Sequence, residues 1–377
     1  MDWPQACEYV ISLCRAAIND EVSDIDAGVV DLDEVYAFAS AHMISAVVAA
    51  ALEKAGVEDE RSGSIIARSL WKSAMFDDAL SKVEAGLEER QIWYMPLKGA
   101  VLKHYYPEYG MREFVDYDIL IDPSRADDVK EMMKSLGFTP ERYTSSYHNA
   151  FYKAPILNFE MHTGLFSPRN GEKLYEYYRD IGNRLIGGRG YERHFTPEDF
   201  YLYFLAHEYK HYHSAGIGLR SLLDTYVYLK KESLDMGYVA QEAQKLGIAD
   251  FEKQNRSLAM HLWGQGKLTP EDRRILDYIL SSGSHGSLSH HVQNKIQEGG
   301  YSKWQYMLER FLVPVNEKDS QYAVFAGMYP FFYRHKAFLW LLPFYRTFRA
   351  VISGRFRREA GALKRARTSS DRSGSGH

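Results

Sequence analysis

A chain of 377 residues has room for two or three domains, and 45% hydrophobic with 25% charged residues allows a sizeable buried core. The formal net charge of −4 excludes a chain that binds polyanions through bulk electrostatics. The two cysteines, Cys7 and Cys14, lie two turns apart on a predicted helix, about 10 Å along its axis and beyond disulfide reach, so a reduced cytoplasmic protein is expected.

The first residues, MDWPQACEYV, lack a basic start followed by a long apolar run, so no signal peptide is expected. Residues 1–90 read as helices, with apolar residues at three- and four-residue spacing: Val10, Leu13 and Ala17, then Val35, Phe38 and Ala39. Asp31 or Asp33 can cap the second helix. A helix over 66–90 turns Leu70, Ala74, Leu80, Val83 and Leu87 to a core. A short strand at 92–95 leads into Leu97-Lys98-Gly99. A helix follows over 99–106, and 107–110 turns the chain.

Alternation predicts a strand over 115–121, with Asp116, Asp118 and Leu120 on one face and Val115, Tyr117, Ile119 and Ile121 on the other. A helix over 123–136 has Ser124 near its start and Gly137 as its stop. Strands are predicted at 138–142, 149–153 and 157–162, the last placing Asn158, Glu160 and His162 on one face.

Helices return from about 170. Pro197 opens one over 197–213, a second spans 219–231, and shorter pieces fill 234–315. The Phe-, Trp- and Tyr-rich segment 324–348 is read as a buried helical pair in preference to a membrane anchor. No apolar run reaches the length of a membrane span; the closest, 337–352, is broken by Pro343, Arg346 and Arg349. The tail carries Arg355, Arg357, Arg358, Lys364, Arg365 and Arg367 before the low-complexity end SSDRSGSGH. It is read as solvated and disordered, with RNA or an anionic membrane surface as the alternative partners. The expected organisation is an N-terminal helical region over 1–70, an α/β core over 71–165, a C-terminal helical domain over 166–350 and a basic tail over 351–377.

The chemistry concentrates in 96–122, PLKGAVLKHYYPEYGMREFVDYDILID. Carboxylates at i and i+2 on a strand project side by side and repel unless a cation sits between them. Asp116 and Asp118 therefore form a cradle for Mg²⁺, a hard ion that takes a few carboxylates plus substrate phosphates. Glu160, on a neighbouring strand, is placed to complete a two-metal site. One ion would lower the pKa of an attacking hydroxyl, and the other would hold the triphosphate and the leaving pyrophosphate. Gly99 opens a helix whose free N–H groups can receive phosphate, and Lys98 and Arg112 add positive charge. A solvated strand end competes as a reading of the Asp pair alone. The run of LKG, Arg, Asp-x-Asp and a later Glu-x-His is more specific.

These residues resemble the signature of the uncharacterised nucleotidyltransferase family, within the DNA polymerase beta-like nucleotidyltransferase superfamily. FEMH at 159–162 is similar to that family's third-carboxylate strand, and HEYKH…LRSLLD is similar to its helical continuation; the resemblance spans about 70–231. It implies an α+β fold, with a small mixed β-sheet nucleotidyltransferase core between helical N-terminal and C-terminal regions. It also implies Mg²⁺-dependent transfer of a nucleoside monophosphate from an NTP, ATP first among them, to an acceptor hydroxyl. On this resemblance Asp116, Asp118 and Glu160 are the metal ligands and Gly99 is the phosphate-loop glycine. The chain departs from the superfamily in having Ala100 where Gly-Ser is usual, a longer spacing from Gly99 to Asp116, and Glu rather than Asp as third carboxylate. A weak or inactive nucleotide-binding or interaction protein on the same fold is the second reading.

Residues 207–211, His-Glu-Tyr-Lys-His, match the H-E-x-x-H zinc pattern, in which His207 and His211 would bind zinc and Glu208 would activate water. Lys210 fits such a buried helix poorly, and no motif supports Asp224 or Glu232 as third ligand. The favoured reading puts His207 and His211 beside the nucleotide cleft, lining it or hydrogen-bonding Asp224, with Arg220 pairing Asp224 at i, i+4. His162 would orient Glu160 or touch substrate, with a satisfied structural histidine as the equal alternative, and Lys103 and His104 are expected at the surface. The acceptor is left open among a small hydroxylated molecule, a tRNA end and a protein side chain, as is the oligomeric state.

Overall fold

The structure is a computed structural model that describes residues 5–23, 31–141, 147–264, 266–283, 312–316 and 322–352. It divides into two compact units. The larger is drawn from Met1–Glu141, Ser146–Lys210 and Gly218–Ser284, and the smaller from Arg142–Ser145, His211–Ile217 and His285–His377.

Helices α1 (Gln5–Ile18), α2 (Leu32–Ala41), α3 (Ser45–Lys54) and the 30-residue α4 (Glu60–Glu89) come first. Asp31 caps α2 by accepting from the Asp33 N–H, and Asp59 caps α4 by accepting from the Arg61 N–H. Five strands follow: β1 (Tyr94–Pro96), β2 (Tyr117–Ile121), β3 (Thr139–Pro140), β4 (His148–Lys153) and β5 (Leu157–His162). They form one sheet in the order β1-β2-β5-β4-β3. β2 and β5 run parallel and the other neighbours antiparallel, so the sheet is mixed and the fold α+β.

One face of the sheet is covered by α4 and by α6 (Ala126–Ser135), the second of the two short helices α5 (Gly99–Leu102) and α6 that lie between strands. Phe76, Ala79, Val83 and Leu87 recur along α4 at three- and four-residue spacing. They pack with Val129, Met132 and Met133 of α6 against Tyr117, Ile119, Ile121, Phe159 and Met161. Phe76 is fully buried among Phe114, Tyr117 and Phe159, with ring centroids 4.9, 4.9 and 5.8 Å away. Met95 and Leu120, on the other face, join a second core built largely from α7 (Glu172–Tyr178) and α8 (Pro197–Ser214).

After α8 come α9 (Leu219–Lys231), α10 (Met236–Leu246), α11 (Ala249–Trp263) and α12 (Pro270–Ser282). The bounds of β5 and α9 match those read from the sequence. The predicted helix over 123–136 begins instead with a 3-10 turn over Pro123–Arg125, capped by Asp122, before α6 proper. Lys103 is not a surface residue: its ammonium is buried against Asp77 and also donates to the Tyr117 hydroxyl at 2.9 Å.

A buried ion pair ties the larger unit together. Arg112 Nε and Nη2 each donate to Asp224 of α9 at 2.7 Å, and the Tyr106 hydroxyl donates to the same carboxylate at 2.8 Å. Arg112 and Asp224 are 6% and 3% exposed, so the pair sits in a low-dielectric interior where both charges must be matched. This pairing replaces the expected Arg220–Asp224 bridge. Arg220 instead donates to the Glu113 carbonyl at 2.9 Å and makes no ion pair within 4 Å among the described residues.

The smaller unit holds α13 (Tyr322–Met328), α14 (Pro330–Arg334) and α15 (Leu342–Ile352), with a 3-10 turn over Lys336–Leu341. Among its described residues Tyr333, Leu339 and Leu342 are buried, and the Tyr333 hydroxyl donates to the Pro314 carbonyl at 2.8 Å. The expectation of a buried aromatic pair is corrected here, because Phe331, Phe338, Trp340, Phe344 and Phe348 are exposed. The basic run from Arg355 lies outside the described residues.

Asp224→Asn leaves the Arg112 guanidinium buried without a counter-charge. Urea unfolding should show a loss of about 3–5 kcal/mol. The double variant Arg112→Leu/Asp224→Leu, which removes both charges, should recover most of that loss.

Candidate active site

The parallel register of β2 and β5 pairs Asp118 with Glu160 and Leu120 with His162. Paired residues on parallel neighbours point to the same face. On β5, Leu157, Phe159 and Met161 are buried in the α4/α6 core, which leaves Asn158, Glu160 and His162 on the opposite face. Asp116 lies one residue before β2, and the predicted strand over 115–121 is shorter for a physical reason. The β1 side of the ladder ends at the Leu97 N–H to Asp118 carbonyl bond of 2.9 Å, and Lys98, at φ 38° and ψ −108°, turns the chain away. A positive φ at a non-glycine residue is strained, and here it swings the lysine toward the carboxylates.

Asp118 Oδ1 accepts from Lys98 Nζ at 3.0 Å and from His162 Nε2 at 2.7 Å. The same His162 nitrogen lies 3.4 Å from Glu160 Oε2, and His148 of β4 lies 4.0 Å from that oxygen. Asp118, Glu160 and His162 each offer one ligand atom, all within 4.8 Å of one another; among the described residues they are the group so arranged. Asp118 and His162 are buried, while the Glu160 side chain is 25% exposed. His162 Nδ1 is buried without a hydrogen-bond partner.

The protonation pattern follows from these contacts. Burial opposes charge on Asp118, but Lys98 and His162 outweigh it and hold the carboxyl well below the usual range. The His162 hydrogen bond lowers Glu160 against the cost of burial. Burial disfavours the charged imidazole of His162, yet its bonds to Asp118 and Glu160 win and its pKa is raised. Asp116 has no such donor. Burial and then the charges of Asp118 and Glu160 raise it to about 6. Asp118 and Glu160, from adjacent strands, and His162 bring their ligand atoms together, which suits a divalent cation; Asp116 feels the same charges from just ahead of β2 but is not one of that group.

Lys210 is the residue that sequence reasoning missed. It entered there only as an argument against zinc. It is half-buried on α8, where burial and then the Lys98 charge push its pKa down to about 8 while Asp118 and Glu160 pull it up. It makes no ion pair within 4 Å among the described residues. The available signal was helical spacing: Tyr203, which also feels the Asp118 and Glu160 charges, lies two turns earlier on the same face of α8.

Three expected roles change. Arg112 is not an open cation, because Asp224 neutralises it. Gly99 is required by that arginine: a Cβ at Gly99 would lie 2.7 Å from Arg112 Nη1. At the mouth of α5 three of the N–H groups that follow Gly99 are already used. Those of Ala100, Val101 and Leu102 already donate to the Leu97 and Lys98 carbonyls at 3.2, 3.1 and 2.8 Å. Ala100, at the position where the superfamily carries a hydroxyl, is buried in the α4 core.

His207 and His211 share α8, half-buried and exposed respectively, and neither joins a metal-capable group among the described residues. Glu208 between them is buried, which raises its carboxyl well above the usual range. Among the described residues no third ligand comes to His207 and His211, so the geometry does not support the H-E-x-x-H reading.

The model of a family described as "Uncharacterised nucleotidyltransferase" matches residues 29–264, which span Lys98, Asp116, Asp118, Glu160, His162 and Lys210. Neither the curated proteins nor the solved structures gave a significant match.

Asp116 links the site to stability. Because folding raises its pKa, its stabilising contribution is present below the ordinary aspartate range and is lost as pH rises through about 6. In metal-free protein, Asp116→Asn should remove that slope and gain about 1–2 kcal/mol at pH 7.5, read by urea unfolding. Equal stability of variant and wild type at that pH would show the charge to be relieved in another way.

Proposed function

The chain belongs to the uncharacterised nucleotidyltransferase family, and we propose that it transfers a nucleoside monophosphate from an NTP, ATP first among candidates, to an acceptor hydroxyl. One observation carries this reading: Asp118 and Glu160 are register partners on parallel strands, with Asp116 just ahead of β2 and Lys98 and Lys210 beside them.

Asp116, Asp118 and Glu160 would hold divalent cations, Mg²⁺ being the natural choice for an all-oxygen set. Such ions, when bound, would draw charge from the triphosphate and lower the pKa of the acceptor hydroxyl. His162 fixes the orientation of Asp118 through Nε2 and keeps it ionised. Lys98 and Lys210, rather than the Asp224-paired Arg112, supply point charges for the phosphate oxygens. Glu160, more accessible than Asp118 at 25% against 7% side-chain exposure, is the carboxylate that takes the acceptor's proton. The acceptor oxygen then bonds to the α-phosphorus as the bond to pyrophosphate breaks.

The assay is transfer of label from α-labelled NTP, with Mg²⁺, to a panel of small polyols, tRNA and protein. Wild type should label at least one class. Asp118→Asn and Glu160→Gln should each fall by about 10²-fold or more, and Lys210→Gln by about tenfold with a raised KM for NTP. Wild-type protein that binds NTP without transfer, or variants that label as well as wild type, would sink the catalytic reading.

A further inference from the structure

The smaller unit exposes apolar surface that its own core cannot account for. Trp340, Phe344 and Phe348 recur at four-residue spacing and are 67%, 60% and 63% exposed. Phe331 and Phe338 stack on one another with ring centroids 6.1 Å apart, and both are exposed. Leu312 and Val315 are exposed as well. Isolated apolar residues at a surface are ordinary, but this many in one small unit mark a surface that meets something.

The charge around them has one sign. Residues 330–352 contain no Asp, Glu, Asn or Gln. Arg334, Lys336 and Arg349 are exposed, and Arg346 and Arg349 lie over the rings of Phe325 and Tyr345 at 4.8 and 6.0 Å. Over 330–368 the sequence has ten Lys and Arg against a single acid, Glu359, although the chain as a whole carries −4. In the sequence the cations therefore cluster in and just after the segment that carries the exposed aromatics.

We propose that this unit docks on a membrane surface rich in anionic lipid, with the Trp340, Phe344 and Phe348 row entering the headgroup and acyl boundary and the arginines and lysines meeting lipid phosphates. Aromatic side chains prefer that boundary, and one apolar signal joined to a polybasic one is what stable but non-spanning attachment takes. Among the described residues no helix is long and apolar enough to cross a membrane, so the contact is interfacial. The charge argues against a second copy of the chain as occupant, since a uniformly basic face repels itself. The exposed aliphatic residues favour lipid over single-stranded RNA, because Leu312 and Val315 have no ring on which a base could stack.

The test uses the full chain in flotation with phosphatidylcholine vesicles, made with and without phosphatidylserine, at low and high salt. Wild type should float with the phosphatidylserine vesicles, and salt should weaken it. Trp340→Ser/Phe344→Ser/Phe348→Ser should bind about tenfold more weakly or worse. Arg334→Gln/Lys336→Gln should lose part of the binding and much of its salt dependence. These side chains are exposed, so circular dichroism and the melting temperature should stay at wild-type values, and so should nucleotide labelling. The proposal is overturned if wild type ignores phosphatidylserine, binds neutral vesicles equally, or is matched by the triple variant. It is also overturned if vesicles are ignored while the triple variant loses binding to single-stranded RNA. Loss in that variant of a concentration-dependent dimer seen by sedimentation without lipid, again with vesicles ignored, would assign the surface to a second copy instead.

Discussion

Repulsion between Asp118 and Glu160 on one sheet face, with the Asp116 charge just ahead of β2, is the constraint around which the larger unit is built. The β2–β5 register fixes Asp118 beside Glu160, so neither carboxylate can move away without breaking the ladder. The protein answers with donors rather than distance. Lys98 and His162 converge on one oxygen of Asp118, and His162 also reaches Glu160. Asp116, just outside the strand, receives no such donor and titrates near 6 instead. Two neighbouring acids are thus driven to opposite ends of the carboxylate range by what each one touches, a pattern typical of sites that do chemistry.

Holding Lys98 in place takes a second layer. Its backbone sits at positive φ, a conformation that persists only where the surroundings over-determine it. Leu97 is fixed before it by the bond to the Asp118 carbonyl, and α5 begins directly after it. Arg112 lies against Gly99 and is clamped in turn by Asp224 on α9. The bidentate fork suits arginine and not lysine, which is why the guanidinium is spent inside the protein while the two ammonium groups remain beside the carboxylates.

The strands and helices that carry the site were legible in the sequence because each has one buried face. Alternation placed Glu160 and His162 together on β5, and Pro197 and the apolar pattern marked α8 and α9. Partnership was not legible. Arg112 and Asp224 are 112 positions apart, and no local pattern joins them. Lys103 looked like a surface residue because its partner, Asp77, lies on α4. Asp116 fell inside the predicted strand because alternation cannot sense where a neighbouring strand stops. The aromatic segment of the smaller unit shows the same limit. Periodicity reports that a helix has an apolar face, and it does not report whether the chain supplies anything to cover it.

The charges of the site also bear on what it can accept. Three carboxylates stand near Lys98, Lys210 and a His162 whose pKa is raised, so acids and bases share one group. A divalent cation alone would leave excess positive charge with the lysines nearby, and a triphosphate alone would face Asp118 and Glu160. On the proposed reading the two would be taken together, the cation by the carboxylates and the phosphates by the ammonium groups. A lysine with a pKa of about 8 and an aspartate near 6 are the members already strained by the ligand-free arrangement. On that reading they would gain most when cation and polyanion arrive as a pair, the form in which NTPs are presented to enzymes that transfer nucleotidyl groups.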